Sequence, residues 1–405
     1  MSQTIDRIKN KLIEIISSRH RLAQVMRFEE YAKSFHPDDY HLIEKDRQTI
    51  VLNSQFYGEP TVMSQNSKLP DAYWMKLRHG QIIGGSDVVI SSDGIMLYDL
   101  LASADEYGAN VTDGGLFLLF GKPHTLGKRY IYRFSRKNKG YFDKGIDLSA
   151  NMSGNYFHFM FQIASKMLYI ENSDIEKSVP LLMDERVLEV PQMKEVICLL
   201  NENDRVIIPL KTNVKYEVGE LFCFSNPHVV IPNSKSKFQT EKHINAFAYD
   251  IKALDFIKER VLRHLDNTKS QQPYPKRIFL SRKNCSKRRI NEDELLPVLE
   301  KYGFKPVFTG EMDVVSQAVM FHQAEHIIGP SGAAFTNLLF CSEGCKVLLL
   351  LSRHHNTTCY SSLGCPLGAQ IMFLAGNTDY TGLHAPFFSI DPNTMKQYLE
   401  SIYGN

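Results

Sequence analysis

The chain has 405 residues, of which 43% are hydrophobic and 23% are charged. These values are typical of a globular protein and exclude a chain built of disordered segments. At roughly 150 residues per domain, the length predicts two or three domains. Lys and Arg number 47 and Asp and Glu 45. This balance excludes a protein whose whole surface coats nucleic acid, so any anion site must be local.

The N-terminus, Met1 to Lys11, lacks the continuous apolar core of a secretory signal. No run approaches the roughly 18 apolar residues of a membrane-spanning helix. The seven cysteines form an odd set in a chain long enough to fold without disulfides. We therefore predict reduced thiols and a cytoplasmic location. Peripheral attachment at the inner face of the membrane, through the basic amphipathic stretch Ile5 to Arg27, is an alternative to simple packing of that stretch.

The first half of the chain predicts a helical segment followed by a lobe rich in strands. Apolar residues recur at three- and four-residue steps in the segment Ile5 to Phe35, as in an amphipathic helix. Short apolar runs broken by Gly, Asp and Asn from about Val51 to Phe142 predict strands joined by tight turns, for example around Ser92-Asp93-Gly94. Further helices are predicted from Tyr156 to Tyr169 and near Ile244 to Leu265.

After a polar junction at Asp266 to Pro275, strands and helices alternate regularly. The predicted strands are Arg277–Ser281, Val307-Phe308, His326–Ile328 and Lys346–Leu351, and the predicted helices are Asn291–Tyr302, Val314–Phe321 and Ala333–Phe340. Asn291 and Glu294 have the spacing of a capping box, and Gly303 ends that helix. Right-handed crossovers then require a parallel sheet, so residues from about 270 to 385 predict a Rossmann-like domain.

The segment from Gly329 to Asn337 runs from a strand through a turn of small residues into a helix. Such a turn directs unpaired N–H groups and the positive end of the helix dipole at one point. Gly332 and Ala333 leave room for a phosphate at the backbone, and the hydroxyls of Ser331 and Thr336 add donors. We predict an anion site here. The alternative is a tight turn whose glycines serve packing alone.

A basic cluster runs from Lys276 to Arg289, between a predicted strand and a predicted helix. Loops after strand C-termini converge on the ligand crevice of a doubly wound sheet, so this loop and the Gly332 turn could face one diphosphate. Arginine suits that role because its planar guanidinium binds phosphate oxygens in pairs. A solvated charged surface and an RNA-binding surface are the alternatives, but no aromatic residue interleaves Arg282 and Arg289 to stack bases.

The aromatic segment around His158 is the third candidate. At helical spacing Asn155, His158 and Gln162 share one face. His158 is either a core histidine satisfied by a hydrogen bond or a group with a function. Metal sites are not predicted, because there is no Asp-x-Asp triplet and four clustered residues match no zinc pattern. Those four are His354, His355, Cys359 and Cys365.

These three segments, in this order, resemble glycosyltransferase family 61, and in particular its bacterial-type members of the capsular or surface polysaccharide kind. The resemblance runs from about Asn155 to Leu351. It rests on Asn155 to His158, Ser281-Arg282, Arg288 to Glu292, Gln317 and Gly329 to Asn337. Three positions depart from the family pattern: Ser331, Gln162 and Leu349 stand where many members carry His, an acidic residue and Glu.

The resemblance implies an α/β fold of the GT-B type, with two Rossmann-like lobes facing a cleft, an N-terminal helical segment and extra strands in the first lobe. We expect residues 1–50 to form the helical segment, 51–265 the acceptor-side lobe, 266–385 the lobe that binds nucleotide-sugar, and 386–405 a C-terminal helix. The implied activity is inverting, metal-independent transfer from a nucleotide-sugar, expected to be UDP-linked, to a glycan or glycoconjugate hydroxyl in surface polysaccharide synthesis. No cofactor and no nucleic acid partner are expected.

Together, the residues and the resemblance predict a donor site. Arg282 and Arg289 are expected to clamp the diphosphate, while the Gly332-Ala333 helix N-terminus stabilises the leaving nucleotide. Ser331, Thr336 and Asn337 complete the predicted donor site.

The predicted general base is His158, oriented by Asn155 or Gln162. An acidic base is not available at position 162, and Glu311 or Asp313 would be the next candidates. Two other functions stay open: a sugar-nucleotide hydrolase or epimerase that uses the same anion site, and an RNA-binding or scaffold protein that uses Lys276 to Arg289.

Overall fold

The computed structural model describes residues 22–35, 39–52, 55–58, 64–98, 130–132, 138–230, 247–264, 274–353, 359–380 and 385–404. Its strands are β1 (Leu22–Met26), β2 (Tyr40–Glu44), β3 (Gln48–Leu52), β4 (Ser64–Lys68), β5 (Ala72–Ile83), β6 (Val89–Ile90), β7 (Met96–Leu97), β8 (Tyr130–Tyr132), β9 (Asn138–Leu148), β10 (Leu181–Asp184), β11 (Ile207–Leu210), β12 (Lys215–Phe224), β13 (Val229–Val230), β14 (Phe247–Ala248), β15 (Arg277–Leu280), β16 (Lys305–Val307), β17 (His326–Pro330), β18 (Lys346–Ser352) and β19 (Gln370–Gly376).

The α-helices of the described ranges are Phe28–Phe35, Tyr156–His158, Met167–Glu171, Glu185–Glu189, Pro191–Leu200, Ile251–Leu262, Glu292–Lys301, Val314–Gln323, Cys359–Gly364 and Pro392–Tyr403. A π-helical turn, Phe159–Ile163, and 3₁₀ turns at Ala164–Lys166, Thr309–Glu311, Ala333–Phe340 and Cys365–Leu367 complete the helical structure there. None of the helices in these ranges is both long and apolar enough to cross a membrane.

The chain divides into two compact units. The described residues of the first unit fall within 1–47, 70–194 and 201–237, and those of the second within 48–69, 195–200 and 238–405. These units differ from the four consecutive segments expected from the sequence. The second unit draws on residues 48–69, where β3 and β4 form an antiparallel pair, because the chain enters it early, leaves it and returns.

In the first unit ten of the described strands form one mixed sheet. Its order is β11-β10-β9-β12-β5-β6-β7-β1-β8, with β2 also paired to β5. The strands β11, β10, β9 and β12 are parallel to one another, whereas β5 runs antiparallel to β12, β6 and β2. The predicted hairpin around Ser92-Asp93-Gly94 is confirmed by β6 and β7, and Gly94 has a φ of 78° that glycine adopts without strain.

The helix predicted from Ile5 to Phe35 is wrong at Leu22–Met26. These residues form β1, which pairs in parallel with β7 and antiparallel with β8. Two neighbouring strands thus supply its backbone hydrogen bonds, and such tertiary pairing overrides local helical spacing. Phe28–Phe35 is helical as predicted, and the predicted helix before residue 22 lies outside the described residues.

The second unit contains the predicted parallel sheet with helices between its strands. Five parallel strands lie in the order β16-β15-β17-β18-β19. The first four match the predicted strands, and β19 is an addition. The mixed α/β class with parallel pairing is therefore confirmed. The core of this unit includes Phe279, Ile328 and Leu348, all completely buried.

The helix Glu292–Lys301 begins and ends where the sequence predicts, but its capping box is wrong in detail. The Asn291 side chain accepts no bond from the helix; its amide donates to Glu294 Oε2 at 2.8 Å and to the Ile390 carbonyl at 3.0 Å. Asn291 therefore links two segments of the chain. Gly303, with a φ of 78°, ends the helix as predicted, because this left-handed position closes a Schellman motif.

Candidate active site

The second unit has a topological switch point between β15 and β17. β15 and β16 follow each other in the chain and pair in parallel, but β17 lies on the opposite side of β15. In open parallel sheets, ligands bind outside the carboxyl ends of the strands at such a point. The loops that follow Leu280 and Pro330, the last residues of the two strands, therefore flank the expected ligand position.

Arg282, from the loop after β15, lies against the Gly332 turn after β17. Gly332 has an extended backbone with φ −178°, which any residue can adopt. Its lack of a side chain matters for space, because a Cβ here would overlap the Arg282 guanidinium. The guanidinium is held by Nε and Nη2, which donate to the Lys287 carbonyl at 3.2 and 3.1 Å. The two loops that the sequence analysis expected to converge are thus in contact.

Glu292 fixes the start of the Arg282 loop. Its buried carboxylate accepts the backbone N–H of Arg282 at 2.7 Å and the Ser281 hydroxyl at 2.5 Å. Both oxygens are used by the loop itself. Among the described residues, no carboxylate forms an ion pair with the Arg282 guanidinium. The charge of Arg282 therefore remains available to an anionic ligand.

Arg288 brings a second guanidinium close to the first. Its backbone φ of 57° is left-handed, which is uncommon for a residue other than glycine. Its Nε is buried and has no hydrogen-bond partner among the described residues. Burial lowers the pKa of Arg282, and the nearby charge of Arg288 acts in the same direction. Two neighbouring cations in a partly buried position favour an anion between or beside them.

Tyr360 fixes the carbonyl side of the Gly332 turn. Its buried hydroxyl donates to the Gly332 carbonyl at 2.7 Å, and Ser331 is a second hydrogen-bond partner. Burial raises the pKa of Tyr360 far above its ordinary value, so the hydroxyl stays neutral and remains a donor. Ala333 opens the 3₁₀ turn Ala333–Phe340, whose first N–H groups have no partner within the helix.

Three other residues predicted for the donor site make different contacts. Thr336 and Asn337 are completely buried, and the Asn337 amide donates to Gln317 Oε1 at 2.7 Å, which ties the Ala333–Phe340 turn to the helix Val314–Gln323. Arg289 is exposed, and its backbone bonds to Pro386 and Phe388. None of the contacts described for Arg289 involves the Gly332 turn. Arg288 thus replaces Arg289 as the neighbour of Arg282.

In the first unit, His158 is bonded to Gln162. Nδ1 of His158 lies 2.8 Å from Gln162 Oε1. Because this oxygen can only accept, Nδ1 carries the proton and Nε2 keeps its lone pair. Gln162 sits in the π-helical turn Phe159–Ile163, a local distortion that is frequent at functional sites. Burial lowers the pKa of His158, while the Gln162 hydrogen bond partly opposes this shift.

Asn155, the other residue predicted to orient His158, caps the helix instead. Its side chain accepts the backbone N–H of Phe157 at 3.0 Å. Of the alternative bases, Asp313 caps the helix Val314–Gln323 by accepting from Ser316 at 2.7 Å. The geometry therefore assigns both residues local structural contacts.

A polar cavity lies in the first unit beside Gln162. Its lining includes Asp87, Tyr98, Asp147 and Lys166. Burial raises the pKa of Asp87 from 3.8 to about 7, against the opposing effects of the Asn151 N–H and the Lys166 charge. Burial also raises the pKa of Asp147. The cavity thus concentrates titratable groups that the sequence analysis did not single out.

The comparison with known families identifies the enzyme class. Residues 156–348 match the family model described as Glycosyltransferase 61, slightly less than half of the chain. This segment is therefore assigned to glycosyltransferase family 61. The predicted family and its enzyme class are thereby confirmed, and this glycosyltransferase carries His158, Arg282 and Gly332 inside the matched segment. No curated protein matches the chain.

The described residues of the glycosyltransferase include no group of three or more His, Cys, Asp or Glu side chains suited to hold a metal ion. The positive charge identified beside the Gly332 turn is supplied by Arg282 and Arg288.

We expect Asp87→Asn to make the stability of the glycosyltransferase less sensitive to pH. A carboxyl whose pKa is raised by folding stabilises the fold below its unfolded pKa, and this contribution is lost as the pH rises through the folded value. For Asp87 the window runs from 3.8 to about 7, which corresponds to at most about 4 kcal/mol. Urea unfolding near pH 5 and near pH 8 should show the variant gaining stability over the parent at the higher pH.

The matched control is Asp143→Asn, which removes an exposed carboxylate from the same unit. It should leave the pH dependence of unfolding unchanged. An equal difference between Asp87→Asn and the parent at both pH values would contradict the assignment of a near-neutral pKa to Asp87.

Tyr360, Asp87 and Tyr98 were not predicted from the sequence. No motif surrounds these residues, and their significance arises only from positions far apart in the chain. Arg288 was visible as part of the basic cluster, but only its left-handed backbone distinguishes it from its neighbour Arg289.

Proposed function

We propose that this glycosyltransferase moves a sugar from a nucleoside diphosphate sugar to a hydroxyl of a glycan or glycoconjugate, with inversion at the anomeric carbon and no obligatory metal ion. UDP as the nucleotide, a GT-B architecture and a role in surface polysaccharide synthesis belong to the same proposal and rest on the family resemblance. The observation that supports the donor site is the Arg282 guanidinium, which contacts the Gly332 turn at the switch point and has no carboxylate partner among the described residues.

In this proposal the donor diphosphate binds to Arg282 and Arg288. The N–H groups that open the turn at Ala333 add donors that carry no charge. As the bond between the anomeric carbon and the diphosphate oxygen breaks, the leaving oxygen takes the electron pair and gains negative charge. Guanidinium groups and N–H donors already in position stabilise this charge without reorganisation of solvent.

His158 acts as the general base in the same proposal. The acceptor oxygen forms its bond to the anomeric carbon while Nε2 of His158 takes the hydroxyl proton. Gln162 holds the required tautomer, because it accepts the proton of Nδ1. Burial lowers the pKa of His158, which keeps the ring neutral and able to accept a proton near pH 7.

Product analysis tests this function. The protein is incubated in EDTA with labelled UDP-sugars, with and without a panel of glycan acceptors. We expect label in a new glycoside only when an acceptor is present, with the anomeric configuration opposite to that of the donor by NMR. Equal release of free sugar, or an altered sugar nucleotide, with and without acceptor would instead favour a hydrolase or epimerase.

A further inference from the structure

The first unit has a switch point of its own, between β9 and β12. β9, β10 and β11 follow one another outwards in the sheet, and β12 lies on the other side of β9, with all four strands parallel. The cavity beside Gln162 lies where these two strands end. It is lined by Asp147 and Ser149 at the end of β9 and by Phe224 and Asn226 at the end of β12. Parallel sheets bind ligands at this kind of position.

Two buried polar atoms in this cavity lack partners. Oδ2 of Asp87 and the hydroxyl of Tyr98 are buried and form no hydrogen bond with any described residue. The other oxygen of Asp87 accepts the Asn151 N–H at 3.1 Å, so the carboxyl is held in place with one oxygen free. Unpartnered buried polar groups cost free energy, and a ligand that offers hydrogen bonds would remove that cost.

The lining indicates the chemistry of the ligand. Two carboxyl groups, Asp87 and Asp147, against one ammonium, Lys166, disfavour an anion. The rings of Phe28 and Phe224 give part of the wall an apolar surface. A sugar ring combines hydroxyls, which both donate and accept, with apolar C–H faces. The cavity has a volume of about 70 Å³ and is partly open to solvent, so it would receive one side of a sugar ring rather than enclose the whole molecule.

We propose that this cavity binds a neutral sugar ring of the acceptor, with Asp87 Oδ2 accepting one sugar hydroxyl and the Tyr98 hydroxyl bonding to another. The inference rests on the proposed function, since it gives the acceptor its subsite. Gln162 connects the cavity to the proposed general base, because its side chain lines the cavity and also bonds to His158. Asp87 and Tyr98 both lie outside the segment that matches the family model.

Saturation-transfer difference NMR on the full chain tests this proposal. The probes are glucose, galactose, mannose, xylose and N-acetylglucosamine, offered one at a time to the parent and to each variant. We expect at least one to bind the parent. Asp87→Asn should weaken that binding about threefold to tenfold, because a carboxyl oxygen that accepts a sugar hydroxyl is replaced by an amide. Asp143→Asn, an exposed carboxylate, should leave it unchanged.

A second variant, Tyr98→Phe, tests the proposal without the risk that the protein fails to fold. Removal of a buried hydroxyl without a partner should leave the melting temperature unchanged or raise it. Sugar binding should nevertheless weaken about threefold to tenfold. A variant that binds sugar as tightly as the parent would overturn the assignment of that residue.

The melting temperature of the same protein samples is also recorded with UDP. This second measurement separates the cavity proposal from the proposed function. If UDP raises it and no sugar binds the parent, the cavity proposal fails while the donor site stands. If a sugar binds in the cavity and no nucleotide has an effect, the proposed function fails.

Discussion

His158→Ala is expected to lower kcat by about two to four orders of magnitude, the usual contribution of a general base. KM for the nucleotide-sugar should change little, because His158 and the donor loops belong to different units of the chain. The variant lacks the imidazole whose Nε2 lone pair would accept the acceptor proton. In the parent, the Gln162 hydrogen bond at Nδ1 leaves that lone pair free. Steady-state kinetics with circular dichroism as the folding check would measure both effects.

The control is His41→Ala, which removes an exposed histidine that stacks on Trp74 in the same unit. It should retain near-normal kcat. Near-normal transfer by a folded His158→Ala protein would refute the base assignment.

Gln162→Glu separates a positioning role from a purely structural one. A carboxylate that accepts the Nδ1 proton should raise the pKa of His158, since a nearby opposite charge favours the imidazolium. The acid limb of the pH profile of kcat/KM should therefore move to higher pH by about one unit. An unchanged profile would show that Gln162 does not set the protonation of His158.

Arg282→Ala is expected to weaken the binding of UDP by about ten- to a hundredfold. The guanidinium has no carboxylate partner among the described residues, so its charge is available to the diphosphate, and a hydrogen bond to a charged group contributes about 1.5–3 kcal/mol. Gly332→Ala should act similarly, because the new Cβ would displace the same guanidinium. Isothermal titration calorimetry in EDTA measures both affinities.

Arg288→Ala and Arg289→Ala form a matched pair for this prediction. They are neighbours in sequence with the same charge, but the charge of Arg288 acts on Arg282, whereas the described contacts of Arg289 are to Pro386 and Phe388. Arg288→Ala should weaken UDP binding about tenfold, and Arg289→Ala should have little effect. The reverse order would restore the clamp that the sequence suggests and would contradict the geometry.

Local patterns predicted much of the second unit. Its first four parallel strands and the helices between them are signalled by apolar periodicity within short segments, and their order along the chain requires parallel pairing. The fifth strand, β19, and the membership of residues 48–69 depend on contacts between distant segments. The helix prediction was wrong at Leu22–Met26 for the same reason, since these residues form a strand that pairs with β7 and β8.

The candidate site was likewise predictable only where local sequence and strand order determine it. Arg282 and Gly332 follow strands that adjoin the switch point, so topology alone predicts their convergence. The choice of Arg288 over Arg289 depends on the backbone conformation of one loop residue, which sequence spacing does not encode. The Asp87 cavity collects residues from several segments that are remote in sequence, and no local motif marks it.

The melting temperature of the parent protein with UDP, GDP, CMP and dTDP, each in EDTA and in magnesium, tests the donor site most directly. A ligand that binds only the folded state stabilises it, by about 2.7 kcal/mol at a hundred times its Kd. We expect a rise with one nucleoside diphosphate that is the same in EDTA and in magnesium. No rise with any nucleotide, together with salt-dependent binding to RNA, would contradict it.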